Sequence, residues 1–215
     1  MIKLKLESDF RDWYDWAFDS KGDVVFRRVT TDGMSRREML CFLEKAGFNP
    51  PRHGFFESMV ECDKIVLYTD ERSHRGDGKK IVSVKEILKE GKFGDYEEYY
   101  CSEYIEGPPV STRLLQIGWM GWMLEYKSDD EWRSNCGNVE IKILGPNHGL
   151  KRWMDYPLWA VDFVKDKDGK LHAVDFNIAP GVGGTGLEDE VKGAEVVGLI
   201  RGHIEDQIRK KTKLG

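Results

Sequence analysis

The chain has 215 residues, 40% hydrophobic and 12% aromatic, enough to bury one sizeable core or two small lobes that share an interface. Its 33 basic and 38 acidic residues are interspersed and leave a net charge of −5, so no broad positive field invites phosphate backbones and nucleic acid is not an expected partner. The four cysteines (Cys41, Cys62, Cys101, Cys136) form no C-x-x-C pair, the N-terminus lacks a signal-peptide apolar region, and no run approaches the roughly 18 apolar residues of a membrane span; a reduced, cytoplasmic protein without membrane attachment is expected.

In chain order, the aromatic stretch F-R-D-W-Y-D-W-A-F (10–18) reads as a packed amphipathic cap or a substrate contact. V-V-F-R-R-V (24–29) follows as an apolar strand on which alternation lets only one of Arg27 and Arg28 face a given site. Ser35 and Glu38 make an S-x-x-E capping box for a short helix with Leu40, Leu43 and Ala46 on one face and Gly47 past its end, after which Pro50 and Pro51 extend the chain. K-I-V-L-Y-T (64–69) is a strand, S-H-R-G-D-G-K-K (73–80) a glycine loop, and Ile81 and Val82 resume the apolar pattern, which together predict a hairpin. A second box, Ser83 and Glu86, starts a helix expected to bury Val84, Ile87 and Leu88 and to end near Gly91. Strands are expected over 98–105, 112–117, 121–126, 158–164 and 171–176, with a loop at G-P-N-H-G (145–149) and a tight Asp168-Gly169 turn joining the last two strands. A third box, Thr185 to Glu188, precedes a C-terminal helix with Val197, Ile200, Ile204 and Ile208 on one stripe. The pattern is α+β with two sheet-containing lobes, divided as a short N-terminal region (1–55), a lobe with the glycine loop (56–107) and a C-terminal lobe (108–215).

The final strand pair carries the chemistry. Asp162 lies in W-A-V-D-F-V, and Asp175 and Asn177 lie in A-V-D-F-N, where alternation puts the latter two on one face. A hairpin brings the two carboxylates together, and without a cation they would repel each other. Magnesium, which takes oxygen ligands and commonly one or two carboxylates plus phosphates, resolves that conflict; the bland alternative is a pair of edge-strand acids facing solvent. Downstream, I-A-P-G-V-G-G-T-G (178–186) is either a flexible connector or, through free amides at a helix start, an anion-binding loop.

The order of these segments resembles the ATP-grasp superfamily, and most closely its ribosomal-protein glutamate ligase branch of carboxylate–amine ligases. Four stretches between about residues 30 and 190 carry the resemblance: Y-I-E-G (104–107), Arg113, W-R-S-N (132–135), and V-D-F ahead of D-F-N-I-A-P-G. It implies two sheet lobes clasping ATP, with Glu103, Tyr104, Ile105 and Glu106 along the adenine hinge and Arg75, Gly76, Gly78, Lys79 and Lys80 in a flap over the phosphates. Asp162, Asp175 and Asn177 would then hold magnesium, Arg113 and Asn135 would stabilise the transferred phosphoryl group and an acyl-phosphate, and Gly183, Gly184 and Thr185 would receive the substrate.

Departures accompany the likeness. Tyr68 stands where the family carries a lysine, Thr31-Asp32-Gly33 stands where it carries another, and Glu106 would have to take the part of the ribose-binding acid. Three functions follow from the residues: an ATP-dependent ligase joining a small-molecule or peptide carboxylate to an amine, a nucleotide-binding regulator without ligase chemistry, or an interaction protein presenting tryptophans such as those of G-W-M-G-W-M (118–123). Oligomeric state is not readable from the sequence.

Overall fold

The computed structural model describes strand backbone at 4–6, 15–18 and 24–27, and residues 34–72, 78–129, 138–147, 156–177, 180, 184–191 and 193–212. The first strands, β1 (Leu4–Leu6), β2 (Asp15–Phe18) and β3 (Val24–Arg27), form a small sheet of order β1-β3-β2, so the aromatic stretch read as a cap ends in a strand. Helix α1 (Arg36–Lys45) starts where its capping box predicts: Ser35 Oγ accepts from the Glu38 amide at 3.2 Å, and Glu38 Oε2 accepts from the Ser35 amide at 2.8 Å. Ala46 caps its end and Gly47 turns out of it at φ 84°.

Strands β4 (His53–Phe55), β5 (Lys64–Tyr68) and β6 (Lys79–Ser83) come next, then helix α2 (Val84–Lys89) and strand β7 (Tyr100–Glu103). They form an antiparallel sheet of order β4-β7-β5-β6, in which the expected hairpin pairs Tyr68 with Lys79. Helix α2 departs from expectation at Leu88, which is 45% exposed. In a helix of six residues the contact with the sheet is made by Val84 and Ile87, three apart, and Leu88 projects past it.

The C-terminal sheet has five antiparallel strands, β8 (Val110–Ile117), β9 (Met120–Ser128), β10 (Val139–Asn147), β11 (Leu158–Lys165) and β12 (Leu171–Asn177), in the order β10-β9-β8-β11-β12. The start of G-P-N-H-G, expected as a loop, instead extends β10. Gly145, at φ 117°, absorbs a register shift after Ile143, and Pro146 is tolerated because β10 is an edge strand with one side unpaired. Helix α3 (Leu187–Glu190) also differs from the expected box: Gly186 is its N-cap at φ 79°, Thr185 Oγ1 accepts from the Leu187 amide at 3.2 Å, and an extended Val191 ends it before α4 (Gly193–Thr212) begins.

Two apolar layers flank the five-stranded sheet. One face packs Leu115, Ile117, Leu124 and Leu158 against Val196, Ile200 and Ile204 of α4. The other packs Leu114, Trp159, Val161 and Phe176 against Met39, Leu40 and Leu43 of α1, and takes in Tyr68 and Tyr100 from the four-stranded sheet. That shared layer joins the two lobes. The outer face of the four-stranded sheet buries Ile65 and Leu67 under Phe56, Met59, Val84 and Ile87. The G-W-M-G-W-M tryptophans divide: Trp122 is buried, while Trp119 is 48% exposed with its ring against Gly202 of α4.

α1 also covers the outer edge of β12, since the Phe176 amide donates to Met39 Sδ at 3.3 Å and the Ala173 amide to the Asn49 carbonyl at 2.9 Å. Leu40, fully buried in that joint, should lose about 2–5 kcal/mol of stability on truncation to alanine. Leu88→Ala should stay within about 0.5 kcal/mol of the parent, and urea unfolding of both variants checks the contrast.

Candidate functional site

Strand register assembles the site. Asp162 of β11 lies directly opposite Arg113 of β8 on one side and Asp175 of β12 on the other, so the three side chains emerge abreast on one face. Strict alternation in β12 would put Ala173 on the same face as Asp175. A register shift between the Asp162–Asp175 and Phe163–Ala173 pairs, with Val174 as the extra residue, lets Ala173 pack toward α1 while Asp175 returns to the face of Asp162. Asn177, two residues beyond Asp175 and opposite Ala160, shares that face.

Two like charges side by side need compensation, and arginines supply it from both ends. Arg113 grips Asp162 with a two-pronged fork, Nε to Oδ1 at 2.6 Å and Nη2 to Oδ2 at 2.7 Å, while its guanidinium stands 4.9 Å from the Tyr126 ring centre. Burial works against the Arg113 charge, but the hydrogen bonds and charge of Asp162 outweigh it and hold the guanidinium above its ordinary pKa. Arg36, in the first turn of α1, donates from Nη1 to Asp175 Oδ1 at 2.7 Å, with its side chain only 6% exposed. Sequence reasoning missed this arginine, although a signal was there: Arg36 falls on the same helical stripe as Met39, Leu40 and Leu43, where a solvated charge has no place.

In the layer shared with α1, Tyr68 is buried at the end of β5 and its hydroxyl pairs with Ser102 Oγ at 2.9 Å. Burial raises its pKa, with the Ser102 bond and the charge of Arg36 opposing. Ile65 and Leu67 point into the outer core, so Val66 and Tyr68 face inward, and so does Lys79, the partner of Tyr68 across the hairpin. Lys80, opposite Leu67, takes the outer face. Of the loop expected as a flap, Gly78 is described, at φ 64°; Arg75 and Gly76 lie outside the described residues.

The segment expected as a hinge leaves β7 at Glu103, whose amide donates to the Arg52 carbonyl at 2.7 Å, and the Tyr104 amide donates to the Lys64 carbonyl at 3.1 Å. Ile105 follows outside any helix or strand, and Glu106 meets Lys64 Nζ at 2.7 Å in an exposed pair. Gly107 must be glycine because a Cβ would strike the Lys165 carbonyl oxygen, which ties the hinge to the end of β11. In the glycine-rich loop, Gly184 is exposed at φ 78° and Thr185 is buried; Gly183 and Asn135 lie outside the described residues.

The donor set fits a hard cation. Asp162, Asp175 and Asn177 offer only oxygen, and carboxylate oxygens that accept from guanidiniums keep further lone pairs. Among the described residues no group of three or more His, Cys, Asp or Glu side chains surrounds a common point, so two acids and an amide would need phosphate or water oxygens to complete a shell.

A separate open groove of about 590 Å³ lies between α1 and β4, lined by Arg37, Cys41, His53 and Tyr100 among others. His53 Nδ1 meets the Tyr100 hydroxyl at 2.6 Å, and burial lowers the His53 pKa while Glu44 partly opposes it.

No protein-family model matches the chain, and no curated protein matches it in sequence. Solved structures do. The ATP-grasp ligase PsnB, complexed with a phosphomimetic variant of minimal precursor, magnesium and ADP, superposes with a TM-score of 0.56 at 14% identity, over 86% of this chain and 62% of that one. The macrocyclase MdnC of Microcystis aeruginosa MRC, bound with precursor peptide MdnA, gives 0.51 at 12% identity over 87% of this chain and 66% of its own. D-alanine–D-alanine ligase from Bacillus anthracis gives 0.52 at 15% identity, over 84% and 69% respectively. The chain therefore has the ATP-grasp fold, and it spans less than two thirds of the length of PsnB.

Two predictions follow from the charges. Asp162→Asn strands a mostly buried guanidinium and should cost about 3 kcal/mol, and a thermodynamic cycle with Arg113→Met should give a coupling above about 1 kcal/mol. Because the folded protein holds His53 neutral where the unfolded chain would protonate it, stability should decline as pH falls through the ordinary histidine value of 6.5 toward the lowered one. Chemical denaturation from pH 7.5 to 5 should show a flatter dependence in His53→Gln, roughly one ionisation fewer.

Proposed function

We propose that the chain binds magnesium-ATP between its four- and five-stranded sheets and uses it to join a carboxylate to an amine. The observation that carries this reading is the row Arg113, Asp162, Asp175, with Asn177 beside it, on an ATP-grasp fold. Asp162, Asp175 and Asn177 would hold magnesium, which when bound supplies charge neutralisation of the phosphates. Arg113, anchored over Tyr126, would donate to the phosphoryl group in transfer, and Lys79, on the inner face beside Tyr68, to the polyphosphate. Residues 103–106 would lie along the base and Thr185 and its glycines beside the acceptor substrate.

The balanced reaction has two steps. A substrate carboxylate oxygen attacks the γ-phosphorus as its bond to the ADP oxygen breaks; an amine then attacks the acyl carbon, phosphate leaves, and the amine gives up a proton to yield an amide. PsnB and MdnC in complex with precursor peptides favour a peptide as one substrate, while D-alanine–D-alanine ligase keeps a small amino acid open. A second reading, nucleotide binding without ligation, is favoured by Tyr68, which offers no cation from β5 and whose hydroxyl is already engaged by Ser102.

Calorimetric titration of magnesium-ATP separates these from a structural role. Saturable binding that requires the metal and weakens by roughly 10- to 100-fold or more in Asp175→Asn with Asn177→Ala is expected. Binding indifferent to both metal and variant would remove the ligase mechanism, and no binding would remove both nucleotide readings.

A further inference from the structure

The two carboxylates of the row are not alone: Arg113 balances Asp162, and Arg36 balances Asp175, so these four side chains together sum to no net charge. Arg36 is held in place from several directions. Its backbone amide donates to the Glu71 carbonyl at 2.8 Å, the Ser35–Glu38 box fixes the turn that carries it, and Met39 Sδ, 3.6 Å from Arg36 Nη1, also receives the Phe176 amide beside Asp175. Helix and acid-bearing strand are therefore locked together at the contact. Arg36 is also on none of the stretches that prompted the metal assignment.

We propose that Arg36 is the resident counter-cation of this site, a positioning residue that neutralises and aligns Asp175 and makes uptake of a divalent cation conditional on a polyphosphate. This rests on the reading of Asp162, Asp175 and Asn177 as the metal site. A bare divalent ion approaching a neutral cluster gains little attraction and must compete with two guanidiniums already in hydrogen-bond contact. A polyphosphate changes the balance. Its oxygens compete with the carboxylates for the same guanidinium donors, so carboxylate lone pairs become available as the metal arrives with its own phosphate ligands. The order of events is thereby built into the ion pairs: metal and nucleotide bind together, and the metal alone binds poorly.

Removing the Arg36 charge should undo that dependence. In nucleotide-free protein, Mn2+ titration followed by electron paramagnetic resonance should show weak binding to the parent and to Arg36→Lys, and binding roughly tenfold tighter or more in Arg36→Met. A residue that merely propped up the helix would lower metal affinity on removal, not raise it. Should Arg36→Met fail to fold, Arg36→Gln, neutral but able to hydrogen-bond Asp175, carries the same test. No gain in the neutral variant, or a parent that binds Mn2+ alone as tightly as with ADP, overturns the proposal. Adding Asp175→Asn distinguishes the two levels: a gain that disappears supports Arg36 acting on a metal at Asp175, whereas a gain that persists places the ion elsewhere and brings down the metal reading as well. If the neutral variant shows no gain while the parent still binds Mn2+-ADP through Asp175, only the role of Arg36 falls.

Discussion

Three neighbouring strands hold Arg113, Asp162 and Asp175 abreast, and the remainder of the site is arranged around the electrostatic problem this creates. Carboxylates directly opposite one another across two strands repel, and the sheet cannot slip to separate them without turning its apolar residues out of two cores. The protein solves this with cations at the ends of the row: Arg113 from within the sheet, and Arg36 from a helix laid along the edge of β12. The extra residue Val174 is what lets one strand serve both demands, sending Ala173 and Phe176 to the α1 layer and Asp175 to the charged face.

The same arrangement explains why the two lobes are joined where they are. The layer around Trp159, Val161 and Phe176 is shared with α1 and with Tyr68 and Tyr100 of the four-stranded sheet, while the acidic row emerges on the opposite face of the five-stranded sheet and is met from the α1 side by Arg36 at the β12 edge. Gly107 lets the hinge pass against the end of β11 at the other side.

Much of this was legible in the sequence, for identifiable reasons. The α1 capping box and the β5–β6 hairpin are local devices with local signals, and each appears in the structure. The approach of Asp162 to Asp175 was legible because a short hairpin fixes it. The Arg113–Asp162 fork was not, since 49 residues separate the pair and only the strand order makes them neighbours. Arg36 carries no local motif, and its sequence signal is its place on the apolar stripe of α1 with Met39, Leu40 and Leu43. Leu88, the strand through Pro146 and the division of the Thr185 helix were misread because tertiary packing decided them: a two-turn helix touches its sheet along one line, an edge strand accepts proline, and an extended Val191 stops α3.

The most direct test of the central claim is the position of the metal itself. Crystals grown with Mn2+ and ADP, measured at the manganese absorption edge, should give an anomalous peak in contact with Asp162 or Asp175, at about the 2.0–2.2 Å expected of a hard cation on oxygen, with ADP phosphates completing its shell. A peak bound elsewhere, or ADP ordered between the sheets with both carboxylates still clasped only by Arg113 and Arg36, would contradict the account and leave the acidic row a structural ion-pair network.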